Sequence, residues 1–435
     1  MKISKEFAKR RQQLIDNVSR DSIIILPTAN EAVRNNDVSY PFRPDSDFLY
    51  LTGFWEPEAV MVLVPGRSQG GYILFNREKD KDKEIWHGFR HGQGGAVSVY
   101  GADEAYAISE LDQVLPGLLE NKNRIYYTMG LNSEFDTHLM EWINGMRQKA
   151  RQGVSVPKEF IALEHLIHEQ RLIKSPQEIK WMKAAAKISI GAHKRAMQIC
   201  KPGLYEYHLE GEIIHEFYQN GCRDDAYPSI VGGGKNACTL HYTENDSKLK
   251  DGDLVLIDAG VEYQGYASDI TRTFPVNGKF SKAQAQLYQL VLDAQQAAFQ
   301  QIKPGNTWNQ PHEAVIEVLT AGLMQLGILN GNVDELIEDE AYKQFFMHKT
   351  GHWLGLDVHD VGDYKVAGEW REFQPGMALT VEPGLYVAKA KNVEKKWWNI
   401  GIRIEDDVVV TKNGCEILTK DMPKSISDIE TLMAE

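Results

Sequence analysis

Residues 254–271 read Leu254-Val255-Leu256-Ile257-Asp258-Ala259-Gly260-Val261-Glu262-Tyr263-Gln264-Gly265-Tyr266-Ala267-Ser268-Asp269-Ile270-Thr271. An apolar run of strand length ends on a carboxylate, and a second carboxylate follows 11 residues later (269 − 258) past Gly260, Tyr263 and Gly265. This spacing predicts a hairpin that lays two strands side by side. Acidic residues in apolar strands are rarely buried unless paired or metal-bound. Three later blocks repeat the theme: Thr350-Gly351-His352-Trp353-Leu354-Gly355, Thr380-Val381-Glu382-Pro383-Gly384 and Gly401-Ile402-Arg403-Ile404-Glu405-Asp406. In the last, strand alternation places Arg403 and Glu405 on one face. Any one of these carboxylates could sit on an exposed strand face; five fitting contexts argue for a common site. Asp258, Asp269, His352, Glu382 and Glu405 are the candidate ligands. Four carboxylates around one imidazole repel one another unless cations lie between them. A pair of divalent ions ~3.5–4 Å apart satisfies them and suggests hydrolysis by a shared hydroxide. One imidazole and no thiolate favour Mn2+, with Zn2+, Co2+ or Fe2+ as alternatives and Mg2+ behind them.

The surrounding helices carry a duplication. Ser175-Pro176-Gln177-Glu178 combines a serine cap, a first-turn proline and a capping-box glutamate. The helix it opens buries Ile179, Met182, Ala186, Ile190, His193 and Met197 on one face, so His193 reads as a satisfied core residue. It ends at Lys201-Pro202-Gly203, and a second helix is expected from about Glu206 to Gln219. A later helix opens at Ser281 with Gln284 and ends at Lys303-Pro304-Gly305, followed by one from about Gln310 to Leu326. The offset of 102 residues (303 − 201) is too long for a solenoid and predicts two pseudo-equivalent halves of one domain, each leading into ligand-bearing strands. Upstream, short apolar runs at Ile23–Leu26, Val60–Val64, Tyr72–Phe75 and Arg124–Thr128 alternate with helical segments. The expected architecture is α/β (α+β), with an N-terminal α/β domain over 1–173 and a duplicated domain over 174–435.

A net charge of 48 − 61 = −13 argues against nucleic acid or an anionic membrane as the main partner. No stretch approaches ~18 consecutive apolar residues, and the charged N-terminus lacks a signal-peptide core, so a cytoplasmic protein is expected. Cys200, Cys222, Cys238 and Cys415 are scattered and read as reduced thiols. His241, His348 and His359 form a second cluster able to polarise a carbonyl or move protons near neutral pH. His208, Glu212 and His215 fit helical spacing, but Gln219 stands where a zincin helix needs histidine, so a solvated face is the better reading. Gly232-Gly233-Gly234-Lys235 lacks the remaining elements of a P-loop. The basic run Arg147, Lys149, Arg151 reads as surface.

Together these blocks resemble the pita-bread metallopeptidases, and most of all their aminopeptidase P branch. The likeness extends through Tyr40-Pro41-Phe42-Arg43, Ser46-Asp47-Phe48, Thr52-Gly53-Phe54, Leu240-His241-Tyr242-Thr243-Glu244-Asn245 and His352 to Asp360. The resemblance implies a creatinase-like N-terminal domain and a pita-bread catalytic domain with two metals per subunit. It implies Asp258 on one metal, Asp269 and Glu405 bridging, and His352 with Glu382 on the other. Glu382 would manage the nucleophile's proton, and His241 and His359 would line the substrate side. His348 and Arg403 match motif positions, with Arg403 holding Asp258. Trp86, Asp37, Arg151 and Arg371 look like proline-pocket positions, some shared between subunits of a homotetramer. The implied reaction is hydrolysis of the N-terminal Xaa-Pro bond of oligopeptides. A prolidase restricted to dipeptides is the alternative, and a non-catalytic peptide- or protein-binding module is a more distant one.

Overall fold

The computed structural model describes residues 3–435, which divide into two compact units, one ending at Arg171 and the other spanning Leu172–Glu435. Four of the strands in the first unit fall on the runs the sequence marks: Ser22–Pro27, Val60–Leu63, Tyr72–Asn76 and Arg124–Tyr126. Two more, Glu104–Ala107 and Glu159–Ile161, are short and only partly covered, so they carry no apolar signature. The six strands form one mixed sheet in the order 104–107, 72–76, 60–63, 22–27, 124–126, 159–161. Ser22–Pro27 and Val60–Leu63 pair antiparallel, as do Val60–Leu63 and Tyr72–Asn76; the remaining pairings are parallel. Ile23, Ile25, Val62, Ile73 and Phe75 pack with Leu115, Leu119, Leu139 and Ile143 of two covering helices to form the core.

The second unit repeats a helix pair followed by strands. Helix Pro176–Ile199 has the expected cap, with Ser175 Oγ accepting from Glu178 N and the Glu178 side chain returning to Ser175 N. Helix Glu206–Gln219 follows. Lys282–Gln301, capped by Ser281 and Gln284, and Gln310–Gln325 form the second pair. Each first helix leads into its Lys-Pro-Gly turn, where Gly203 and Gly305 take φ of 98° and 90°. One sheet joins Thr271–Pro275, Leu254–Asp258 and Ile230–Gly233; its counterpart joins Ala378–Val381, Asp406–Val410 and Cys415–Ile417. A single apolar core runs under both halves.

The predicted hairpin is present. Asp258 pairs with Thr271, and the tip closes at Gln264-Gly265, whose φ values of 55° and 84° match a two-residue primed turn. Between tip and sheet the two arms come so close that a Cβ on Gly260 would lie 1.7 Å from the Ser268 carbonyl oxygen. The second half differs from the simple alternation read at Arg403 and Glu405. Strand Ile400–Arg403 pairs with Gly384–Val387 and then stops, and the chain resumes at Asp406 against Ala378–Val381. Glu382-Pro383 and Ile404-Glu405 therefore occupy the breaks at which both strands change partner. Proline lacks a ladder donor, and the freed amides are satisfied from elsewhere: Glu382 N by the Thr350 carbonyl at 2.8 Å and Glu405 N by that of Thr271 at 3.1 Å.

Candidate metal centre

Each acidic residue stands where an apolar strand ends or breaks. Asp258 closes its strand, Asp269 lies two residues before the partner strand, and Glu382 and Glu405 sit in the two breaks. Apolar neighbours such as Ile257, Val381 and Ile404 anchor the backbone in the core, while the irregular backbone lets the carboxylates turn towards one another. Asp269, His352 and Glu405 each offer a ligand atom, all within 4.8 Å of one another. His352 Nε2 is 3.4 Å from Asp269 Oδ2 and 3.8 Å from Glu382 Oε1. Its Nδ1 lies 2.9 Å from the Trp353 carbonyl and donates to it, which directs Nε2 at the carboxylates.

Asp258 is held by Arg403 Nη2 at 2.6 Å and by the Tyr227 hydroxyl at 2.6 Å, and Tyr227 also reaches Asp269 Oδ1. Glu405 Oε2 accepts from Thr271 Oγ1 at 2.6 Å, and Thr271 Oγ1 accepts from Arg403 Nε at 3.1 Å. From Arg403 a further bond of 3.0 Å runs to the Tyr386 hydroxyl, which lies 2.9 Å from His348 Nε2. His348 Nδ1 is 3.7 Å from Glu382 Oε2, and His359 stacks edge-on against His352 with ring centroids 4.3 Å apart.

The electrostatics follow from crowding. Burial, then the mutual repulsion of the acids, raises Asp269 and lifts Glu405 well above the usual carboxylate range; burial pushes Glu382 up to about 7. Burial pulls His352 down, but the Asp269 and Glu382 carboxylates overcome it and raise the imidazole to about 9. Burial holds His348 down to about 3, with Arg403 adding to the effect. Arg403 alone cannot balance four acids, and this donor set of oxygens plus one imidazole fits hard or borderline divalent cations.

The structure thus brings together Asp258, Asp269, His352, Glu382, Glu405, Arg403, His348 and His359. His241 is exposed on a loop, near enough for its charge to oppose His348 and His359. Arg371 is buried with Nε donating to the Asp363 carbonyl, whereas Trp86, Asp37 and Arg151 lie exposed in the first unit. Tyr227, Thr271, Tyr386 and Asp407 were not legible as site residues. Asp407 is buried beside the centre and accepts the Asp269 amide at 3.2 Å. The unusual run Glu405-Asp406-Asp407 entering Val408-Val409-Val410 could have flagged it.

His193 lies in the core as expected, with Nε2 donating to the Ala259 carbonyl at 2.9 Å, but its buried Nδ1 has no hydrogen-bond partner among the described residues, so the ring is only half satisfied. Glu212 pairs with Arg195, and His208 accepts from the Tyr205 amide. Gly233 N donates to Glu206, so a carboxylate stands where a P-loop would bind phosphate. The four cysteines are free, and among the described residues no helix is long and apolar enough to cross a membrane.

Residues 180–412 match metallopeptidase family M24, and residues 7–126 match the aminopeptidase P N-terminal domain. The chain belongs to metallopeptidase family M24. It is 47% identical to Xaa-Pro aminopeptidase of Escherichia coli, covering 98% of this chain and 97% of that protein. Human Xaa-Pro aminopeptidase 3 is 35% identical over 99% of this chain and 86% of its own length. Aminopeptidase PepP of Pseudomonas aeruginosa superposes with a TM-score of 0.98 at 58% identity, covering 99% of this chain and 98% of that one. A substrate complex of an Escherichia coli aminopeptidase P variant superposes at 0.96 with 46% identity, over 99% and 98% of the two chains.

Proposed function

We propose that this chain is a dinuclear metallo-aminopeptidase that hydrolyses the N-terminal Xaa-Pro bond of oligopeptides. The observation that carries the reading is the convergence of Asp258, Asp269, His352, Glu382 and Glu405 on one buried centre, in which Arg403 pairs directly with Asp258. Near-full-length similarity to Xaa-Pro aminopeptidases supports the substrate class. Two divalent ions, Mn2+ first and Zn2+, Co2+ or Fe2+ otherwise, would be held by these five residues. When bound they would supply hydroxide near neutral pH and polarise the scissile carbonyl.

The chain's own side chains supply the rest. Glu382 takes the nucleophile's proton on its carboxylate and passes it to the departing proline nitrogen. Arg403 and Tyr227 orient Asp258, leaving less rotamer freedom to be lost on loading. His359, beside His352, and His241, on the adjoining loop, donate to the carbonyl oxygen as it gains charge. His348 fixes the Tyr386–Arg403 chain of hydrogen bonds from the opposite side. Proline after the scissile bond offers no amide hydrogen and a restricted φ, so its recognition falls to ring packing; Trp86, Asp37, Arg151 and Arg371 are proposed as substrate-binding residues of a homotetramer located in the cytoplasm.

The deciding assay compares Xaa-Pro-Xaa tripeptides with Xaa-Pro dipeptides. Rapid release of the first residue from the tripeptide is expected; hydrolysis of dipeptides alone would identify a prolidase. Glu382→Ala should abolish turnover while the protein stays folded, and near-wild-type activity in that variant would remove the site.

A further inference from the structure

The loop that presents His241 is built around one buried acid. Glu206, the first residue of helix Glu206–Gln219, is fully buried, and no lysine, arginine or histidine pairs with it among the described residues. Four hydrogen bonds replace the missing cation. Oε1 accepts from Gly233 N at 2.7 Å and Asn236 Nδ2 at 3.0 Å, and Oε2 accepts from Tyr242 Oη at 2.9 Å and Ser247 N at 2.8 Å. All four donors belong to the segment 233–247, on both sides of His241. The Glu206 amide also donates to the Ser247 carbonyl at 3.0 Å. Leu240 and Tyr242, flanking His241, pack inward with Ile230, Ala237, Leu256 and Tyr386, so the alternate side chain His241 is turned outward.

We propose that Glu206 is the positioning residue for His241: its carboxylate ties the two arms of the 233–247 loop together and holds the imidazole at its tip in place. The assignment rests on the aminopeptidase reading of the site. The carboxylate uses all of its acceptor capacity. Replacement by glutamine turns one oxygen into an NH2 group facing either Gly233 N–H or Ser247 N–H. Neither backbone donor can reverse, so the loop must shift to relieve the clash.

A double-mutant cycle on an Xaa-Pro-Xaa tripeptide tests this, with wild type, Glu206→Gln, His241→Ala and the double variant loaded with Mn2+. Glu206→Gln should lower kcat/KM roughly 10-fold, leave metal content per chain at the wild-type value, and cost nothing further in the His241→Ala background. Equal losses in both backgrounds, a loss that follows metal content, or undiminished kcat/KM would overturn the assignment. If Glu206→Gln does not fold, Tyr242→Phe removes one of the four donors while keeping the ring, and the same cycle then decides on a smaller loss. Failure of the wild type to cleave the tripeptide would instead overturn the proposed reaction.

Discussion

His193 offers a test of the scaffold behind the first ligand strand. Its ring is fully buried, Nε2 donates to the Ala259 carbonyl one residue past Asp258, and burial lowers the imidazole to about 4. The unfolded imidazole titrates near 6.5, at about the ordinary histidine value. Between these values the unfolded chain takes up a proton that the folded chain refuses, so this histidine's contribution to stability falls as pH falls through 6.5 and levels off near 4. At about 1.36 kcal/mol per pH unit the full effect is roughly 3 kcal/mol, of which about 2 kcal/mol is lost at pH 5 relative to pH 7.5. His193→Gln keeps an amide donor for the Ala259 carbonyl and removes the titration. Urea unfolding of both proteins from pH 5 to 7.5, followed by tryptophan fluorescence, should show the stability gap moving by about 2 kcal/mol in the variant's favour at the acid end. A gap that stays constant to within about 0.5 kcal/mol over that range would refute a neutral, buried His193.

Other perturbations have equally definite outcomes. Lys174 and Asp360 form a 2.8 Å ion pair with both side chains 1% exposed; Lys174→Met should cost about 3–5 kcal/mol in urea unfolding, and the double change with Asp360→Leu less. An equal cost for single and double variants would show that packing, not the uncompensated buried charge, dominates. Gly260→Ala drives a Cβ into the Ser268 carbonyl, so the hairpin arms must part, with several kcal/mol of stability and about 10 °C of Tm lost; an unchanged Tm would refute the close approach. Exhaustive chelation should abolish peptidase activity, and Mn2+ should restore it with two ions per chain by elemental analysis. Activity surviving in metal-free protein would remove the dinuclear reading.

Much of this molecule could be read from short segments. The Ser175 and Ser281 caps announce their helices because the cap, the first-turn residue and the N3 acceptor lie within four positions of one another. The hairpin between Asp258 and Asp269 was likewise visible, since a strand, a turn and a strand occupy one local stretch. The strand through Arg403 and Glu405 was not. Local alternation runs straight through Ile404, whereas the chain changes sheet partner there because two different strands, 384–387 and 378–381, compete for its two ends. Tyr227 shows the same limit. Nothing near Pro228 indicates that its hydroxyl will serve two aspartates 31 and 42 positions away.

Residue types and spacings therefore carried the candidate ligands, the duplicated helix pairs and the class of chemistry, because capping, alternation and acid in an apolar run are properties of a few neighbouring residues. Packing decided which groups hold those ligands. Arg403 meets Asp258 across 145 positions, Thr271 meets Glu405 across 134, and Glu206 gathers donors from a loop 27 to 41 positions away. Such partners are selected only when sheets and helices close around a common core and every buried polar group must find an acceptor or donor there. No periodicity within either segment encodes that choice.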